Sequence, residues 1–455
     1  MTASAPVYDA AGPGLPPGPT RSPTPWQRAT RRLIPLLATI GLVIIGISSS
    51  ISWGPRMVGR TEWALPDDLW GTLIAASRLL HGDLAGLYTH PTGLIALPGA
   101  AIILVPVVAL IDALGLSLHL QSAHDQNPLA WLLAGPYETA ISGVALFAAD
   151  AIAERTGAAR DKRAFLAAAG ATALWNVTVR WGHPEDAVAV GLLLYAVLAQ
   201  SDGKLTRSAW LTGAAIAVQP LVVLAVPVML VMLPPRRIIG FLARAATLPA
   251  VLLAAAAAAN WNATYAAVIE QPNWPTVNHP TLWLPLATHL RNGAVAAGPV
   301  RLLAVAAACA CAIAAARQYR AARQAEQPQQ AEQAVQAVQA QQEGQAQPWD
   351  ARTLLTLLWW IAVTLALRSV FEPVMVAFYL WPVLAVALVT ASVTWPRLVA
   401  TTAVVVTVTF ASQVSWRSPW TWWLPMVAGL AVTLLLARVS PCTPKTSYAK
   451  GRQGP

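Results

Sequence analysis

Long apolar stretches of bilayer-spanning length recur along almost the whole chain. They include Leu33–Trp53, Leu94–Leu114, Leu129–Ala153, Ile238–Ala259, Val295–Ala316 and Leu354–Val370. About 20 apolar residues of helix cross the hydrocarbon of a bilayer, where only helices or closed barrels satisfy their own backbone. The runs are continuous rather than alternating, which selects helices over a barrel. Of the 455 residues, 56% are hydrophobic and only 11% charged, too few charges to cover a soluble protein of this size. The sequence therefore predicts an all-α, polytopic integral membrane protein.

The formal net charge is +10, and it collects in short loops and tails. That placement reports orientation across a membrane rather than a nucleic-acid surface. Cys309, Cys311 and Cys442 have the spacing of neither a disulfide framework nor a zinc site. Residues 1–30, rich in Pro, Gly, Ser and Thr, read as a disordered cytoplasmic tail. Arg28, Arg31 and Arg32 then precede Leu33–Trp53, which reads as a retained first span rather than a signal peptide.

With the N-terminus inside, the loop 54–93 is external. Leu129–Ala153 ends in the cytoplasmic charges Glu154-Arg155 and Arg160-Asp161-Lys162-Arg163. The preceding run Leu94–Leu114, with Pro98 and Pro106, is therefore expected to be re-entrant or interfacial. Ala164–Val179 and Ala187–Leu198 cross outward and back. Ala209–Leu233 is expected as two short helices turning at Gln219-Pro220. Ile238–Ala259 leads to a second external loop, 260–292, and Val295–Ala316 returns to close a first transmembrane module, 31–316. A Gln/Ala-rich cytoplasmic linker follows at 317–350, with its low complexity arguing against chemistry. A four-span block, 351–438, and a basic cytoplasmic tail, 439–455, complete the chain. The count is about twelve spans with both termini cytoplasmic.

This topology gathers unusual ionisable residues at the outer face. Asp67 and Asp68 are two adjacent carboxylates beside a bilayer, which is costly. Either they cap the helix beginning at Leu69, or one of them, Asp68 first, is a general base. His183, Glu185 and Asp186 lie beside Arg180 in a turn between two spans. They suit an interfacial cap, a metal or a sugar hydroxyl. Asn278-His279 reads as a polar turn before Pro280. Arg368, inside an apolar run, either snorkels outward with Glu372 as its partner or clamps a phosphate with its guanidinium fork.

The run Asp68-Leu69-Trp70-Gly71-Thr72-Leu73-Ile74-Ala75-Ala76-Ser77-Arg78-Leu79-Leu80-His81-Gly82, followed by Leu87-Tyr88, resembles the first external loop of C-type (GT-C) membrane glycosyltransferases. It looks most like the bacterial branch that uses polyprenyl-phosphate mannose. Gly182–Asp186, Trp210–Pro220 and Asn278-His279-Pro280 are similar to later pieces of that branch, in the same order. The likeness covers roughly residues 30–390. It departs at Thr72, where an aromatic is common, at Gln219, where Lys is frequent, and at Glu185-Asp186, where an amide is usual.

The resemblance implies a GT-C-like fold in the cell membrane, with the active site on the outer face. It implies transfer of a sugar, mannose by the nearest likeness, from a polyprenyl-phosphate donor to a lipid-linked or glycan acceptor of the cell envelope. Asp68 would be the base, with Asp67 its substitute. Arg368, then Arg291 or Arg180, would hold the donor phosphate. His183, Glu185, Asp186, Tyr88, Gln219, Asn278 and His279 would hold sugar or acceptor. A divalent cation is optional, because a lipid phosphate leaves well. The partners implied are donor, acceptor and membrane lipids, with no nucleic acid. Two rivals stand beside this: a transporter or flippase of lipid-linked saccharides, and a non-catalytic scaffold.

Overall fold

The computed structural model describes residues 32–53, 67–90, 92, 94–118, 128–330, 349–414 and 419–439. The expected N-terminal tail, the first part of the 54–93 loop and the C-terminal tail fall outside the described residues. Almost all regular structure is helical. The first half holds α1 (Leu33–Trp53), α2 (Asp67–Leu80), α3 (Pro98–Ile102), α4 (Val105–Ala113), α5 (Pro128–Ser142), α6 (Val144–Arg155), α7 (Arg160–Trp175) and α8 (Pro184–Ser201). The second half holds α9 (Leu205–Val218), α10 (Val226–Leu230), α11 (Pro235–Ala259), α12 (Trp261–Thr264), α13 (Val300–Gln330), α14 (Ala351–Val370), α15 (Trp381–Ala391), α16 (Trp395–Ala411) and α17 (Pro419–Ala437). Among the described residues, five helical stretches are long and apolar enough to cross a membrane: Ala130–Arg155, Pro235–Ala259, Val300–Ala322, Ala351–Val370 and Trp420–Ala437.

Prolines set several of the breaks. The run Leu94–Leu114 contains two short helices, α3 and α4, each with a proline in its first turn. Proline suits a helix start because its missing N–H has no partner there anyway. The chain also turns where Gln219-Pro220 was expected to turn it. Gln219 is extended, and a 3-10 turn over Pro220–Ala225 leads into α10.

Two expectations need correction. The helix after the second loop begins at Val300, not Val295, because Val295 and Ala296 form strand β3, antiparallel to β2 (Thr288–His289). That same helix runs on to Gln330, through the first part of the stretch expected as a linker; residues 331–348 fall outside the described residues. A second two-residue ladder pairs β1 (His279–Pro280) with β4 (Val374–Met375). It ties the second loop to the end of α14.

Helix α8 is the hub. It packs against α5, α6, α9, α14 and α15, and most of its residues are buried. Helix α11 is the opposite case, burying only Phe241, Ala245 and Ala256 along its length. An apolar helix with so little covered is the kind that faces lipid. The larger apolar cluster draws Leu193 and Leu194 from α8, Leu358 and Ile361 from α14, and Trp381 and Leu384 from α15. A second cluster holds Leu69 and Leu73 of α2, Leu87, Leu104, Val108 and Ala134. The start of α8 and the start of α2 meet where these clusters adjoin.

Candidate functional site

The site is built at the turn between α7 and α8. Helix α7 loosens into a π-helical turn over Asn176–Arg180. Gly182 then takes φ +67°, a left-handed conformation that glycine adopts without Cβ strain. The Gly182 N–H donates to the Thr178 carbonyl at 2.8 Å and the His183 N–H to the Val177 carbonyl at 2.9 Å. His183 is thereby fixed one residue ahead of Pro184, which starts α8. Glu185 and Asp186 fall in the first turn of α8, where the helix dipole favours negative charge.

His183 joins two carboxylates. Its Nε2 lies 3.1 Å from Asp68 Oδ2 and its Nδ1 lies 2.6 Å from Glu185 Oε1. The ring stacks on Phe378 at 3.7 Å between centroids. Side-chain exposure falls along this chain, from 58% at Asp68 to 14% at His183 and 7% at Glu185. Burial disfavours a charged imidazole, yet the Glu185 charge and the hydrogen bonds to Asp68 and Glu185 outweigh it and hold the His183 pKa well above its usual range. As an imidazolium, His183 donates from both nitrogens. For Asp68, crowding by its surroundings pushes the carboxyl up, but the His183 hydrogen bond and charge win and leave it below the usual carboxylate range.

Below this chain lie further polar groups. Asp186 Oδ1 accepts from Gln219 Nε2 at 2.7 Å, so the amide at the break after α9 is spent on a buried carboxylate. The Arg368 guanidinium sits 3.8 Å from the Tyr379 ring centroid, with the charges of Asp186 and Glu372 acting on it. Glu138 of α5 is 2% exposed, and it feels the charges of Glu185 and His183.

Of the residues singled out in the sequence, Asp68, His183, Glu185, Asp186, Gln219 and Arg368 come together. Helix α2 begins at Asp67 rather than Leu69, so both acids belong to its first turn, and Asp68 spends an oxygen on His183. The side chain of Asp67 falls outside the described residues. Arg180 is half-buried at the end of the π-helical turn, with no ion partner among the described residues.

Others stand elsewhere. The Tyr88 hydroxyl donates to the Ala96 carbonyl at 2.9 Å, and its ring packs against the second apolar cluster. Asn278 Nδ2 donates to Asn273 Oδ1 at 2.6 Å. His279 stacks on Trp422 at 3.9 Å, and burial lowers its pKa. Arg291 is exposed, just past β2. The Glu372 charge still acts on Arg368, but the hydrogen-bonded ion partner of Glu372 is Arg301, whose Nη2 donates to Glu372 Oε1 at 2.9 Å. Arg301, in the first turn of α13, also donates to Gln271 Oε1.

Sequence reasoning passed over Glu138, Arg301, Phe378 and Tyr379. For Glu138 a signal existed: it is a carboxylate inside an apolar run, which membrane energetics makes conspicuous. Among the described residues, no group of three or more His, Cys, Asp or Glu side chains is arranged to hold a metal ion. Both ring nitrogens of His183 are occupied by carboxylates. No protein-family model matches the chain, and neither does any curated protein.

Proposed function

We propose that this chain is a multi-pass membrane glycosyltransferase of the GT-C type, with about twelve spans by charge placement and its site at the outer face. It would move a sugar, mannose by the nearest likeness, from a polyprenyl-phosphate donor to a cell-envelope acceptor. The observation that carries this reading is Asp68: an open carboxylate, held ionised by a buried imidazolium that Glu185 holds in turn. Inverting displacement at an anomeric carbon needs such a group. The acceptor hydroxyl attacks, Asp68 takes its proton, and the lipid phosphate leaves with the bonding pair.

Arg180 takes first place for the donor phosphate, since Arg368 is already stacked on Tyr379 and answered by acids. An apolar groove of about 580 Å³, lined in part by Pro106, Tyr137, Ile141 and Val188, has the chemistry of a hydrocarbon-chain site. Tyr137 is next to Glu138 in sequence, and Val188 is two residues past Asp186.

The test is transfer from radiolabelled polyprenyl-phosphate mannose to membrane acceptors. Asp68→Asn should lower the rate by about 10²–10⁴-fold, the usual scale of general-base loss. Asp67→Asn at matched expression should not. Full activity in Asp68→Asn would remove the base assignment.

One observation favours a second reading, a proton-coupled transporter of lipid-linked saccharides. Glu138 and Asp186 are buried and Arg368 is half-buried, ionisable groups from three different helices, α5, α8 and α14, as transport pathways have. Proton-driven flux of a lipid-linked saccharide in proteoliposomes, without sugar transfer, would support it.

A further inference from the structure

Four carboxylates lie around His183: Asp68 from α2, Glu138 from α5, and Glu185 and Asp186 from α8. The cations acting on them are His183 itself and Arg368 of α14. Asp68 is open to solvent, and Asp186 has Gln219 and the Arg368 charge acting on it, although its Oδ2 is buried without a hydrogen-bond partner. That leaves Glu138 and Glu185, 2% and 5% exposed, with a single imidazolium that Asp68 also uses. Glu138 Oε2 and Glu185 Oε2 are both buried without a hydrogen-bond partner.

Two ionised carboxylates at such depth, each with an orphaned oxygen, are far costlier than one carboxylate and one carboxylic acid. A proton removes the surplus charge and supplies the missing donor. We propose that Glu138 holds a proton at neutral pH, and that this buried proton leaves the His183 charge to Glu185 and Asp68. Glu138 is then a positioning residue for the base, acting through Glu185 and His183. The charge argument is independent of the transferase reading; the role for the base rests on it.

Infrared spectroscopy of the full chain in lipid nanodiscs tests the proton directly. With carbon-13 glutamate incorporated, the wild type should show at pH 7 a protonated-carboxyl carbonyl band that moves with the label. That band should vanish in Glu138→Gln, whose amide replaces a neutral group of the same shape. A wild type with no labelled carboxylic-acid band at pH 7 would overturn the proposal without any variant having to fold. So would a band that persists unchanged in folded Glu138→Gln. In the transfer assay, Glu138→Gln should shift the alkaline limb of the pH profile, and an unchanged profile would remove the positioning role. Absence of transfer by the wild type would instead count against the transferase reading, with the infrared result still deciding the buried proton.

Discussion

His183 Nε2 stands 3.1 Å from Asp68 Oδ2 although 115 residues separate them in the chain. The contact links the start of α2, rooted in one apolar cluster through Leu69, to the start of α8, rooted in the other through Ala187. Moving either helix end breaks the bond, so the polar chain depends on how the two clusters meet.

Replacing the imidazolium tests what it does for Asp68. His183 lowers the Asp68 carboxyl against the opposing effect of burial, so His183→Gln should let it rise. The acid limb of kcat/KM against pH should move to higher pH. A hydrogen bond to a charged group is worth about 1.5–3 kcal/mol, so kcat/KM should fall by about tenfold to a hundredfold. An acid limb that stays in place would separate His183 from the base.

Alkali should loosen the fold through the same residue. The folded-state pKa of His183 lies above its ordinary value of about 6.5. Its stabilisation is therefore complete below that ordinary value and fades as pH rises through the folded-state value. Melting temperature in detergent should fall between neutral and alkaline pH more steeply for wild type than for His183→Gln. Parallel falls in the two proteins would contradict the assignment.

Glu372 is nearly enclosed, with 4% of its side chain exposed, and Arg301 is its ion partner. Arg301→Ala should destabilise by up to about 3 kcal/mol, the low end for stripping a buried ion of its partner, because Arg301 is itself one-third exposed. Adding Glu372→Gln should recover part of the loss in a double-mutant cycle. Strict additivity of the two changes would show that the pair is not coupled.

Gly213 lets α9 lie directly on α11. A Cβ there would stand 2.6 Å from the Ala245 carbonyl oxygen and 3.2 Å from its Cα, both backbone atoms that cannot rotate away. Gly213→Ala should cost about 1–3 kcal/mol, as overpacking does. Gly41→Ala, in α1 with nothing within 4 Å of the new Cβ, should gain up to about 1 kcal/mol from helix propensity. Thermal unfolding of the two variants in one detergent compares them.

Helical elements, their approximate ends and the break at Gln219-Pro220 were legible from one dimension, because apolar length and proline act locally. Asp68, His183, Glu185 and Asp186 were legible because charge in an apolar chain is costly and stands out. Glu138 carried the same kind of signal but is the one charged residue within α5, with no charged neighbour at helical spacing to draw notice. Arg301 sits at the head of an apolar helix, where it reads as an ordinary orientation charge. The Arg368–Glu372 pairing followed from helical spacing, yet α14 ends at Val370, so the two side chains no longer share a helix face.

By itself the sequence determined a helical chain of apolar runs, and it marked which acids and basic residues demand an explanation. Tertiary structure alone decided their partners: Asp68 with His183, Asp186 with Gln219, Glu372 with Arg301. The physical reason is one of range. Helix formation and apolar burial are set by neighbours a few residues away, whereas a buried charge is settled by whichever opposite charge or donor the packing of distant helices brings within about 3 Å.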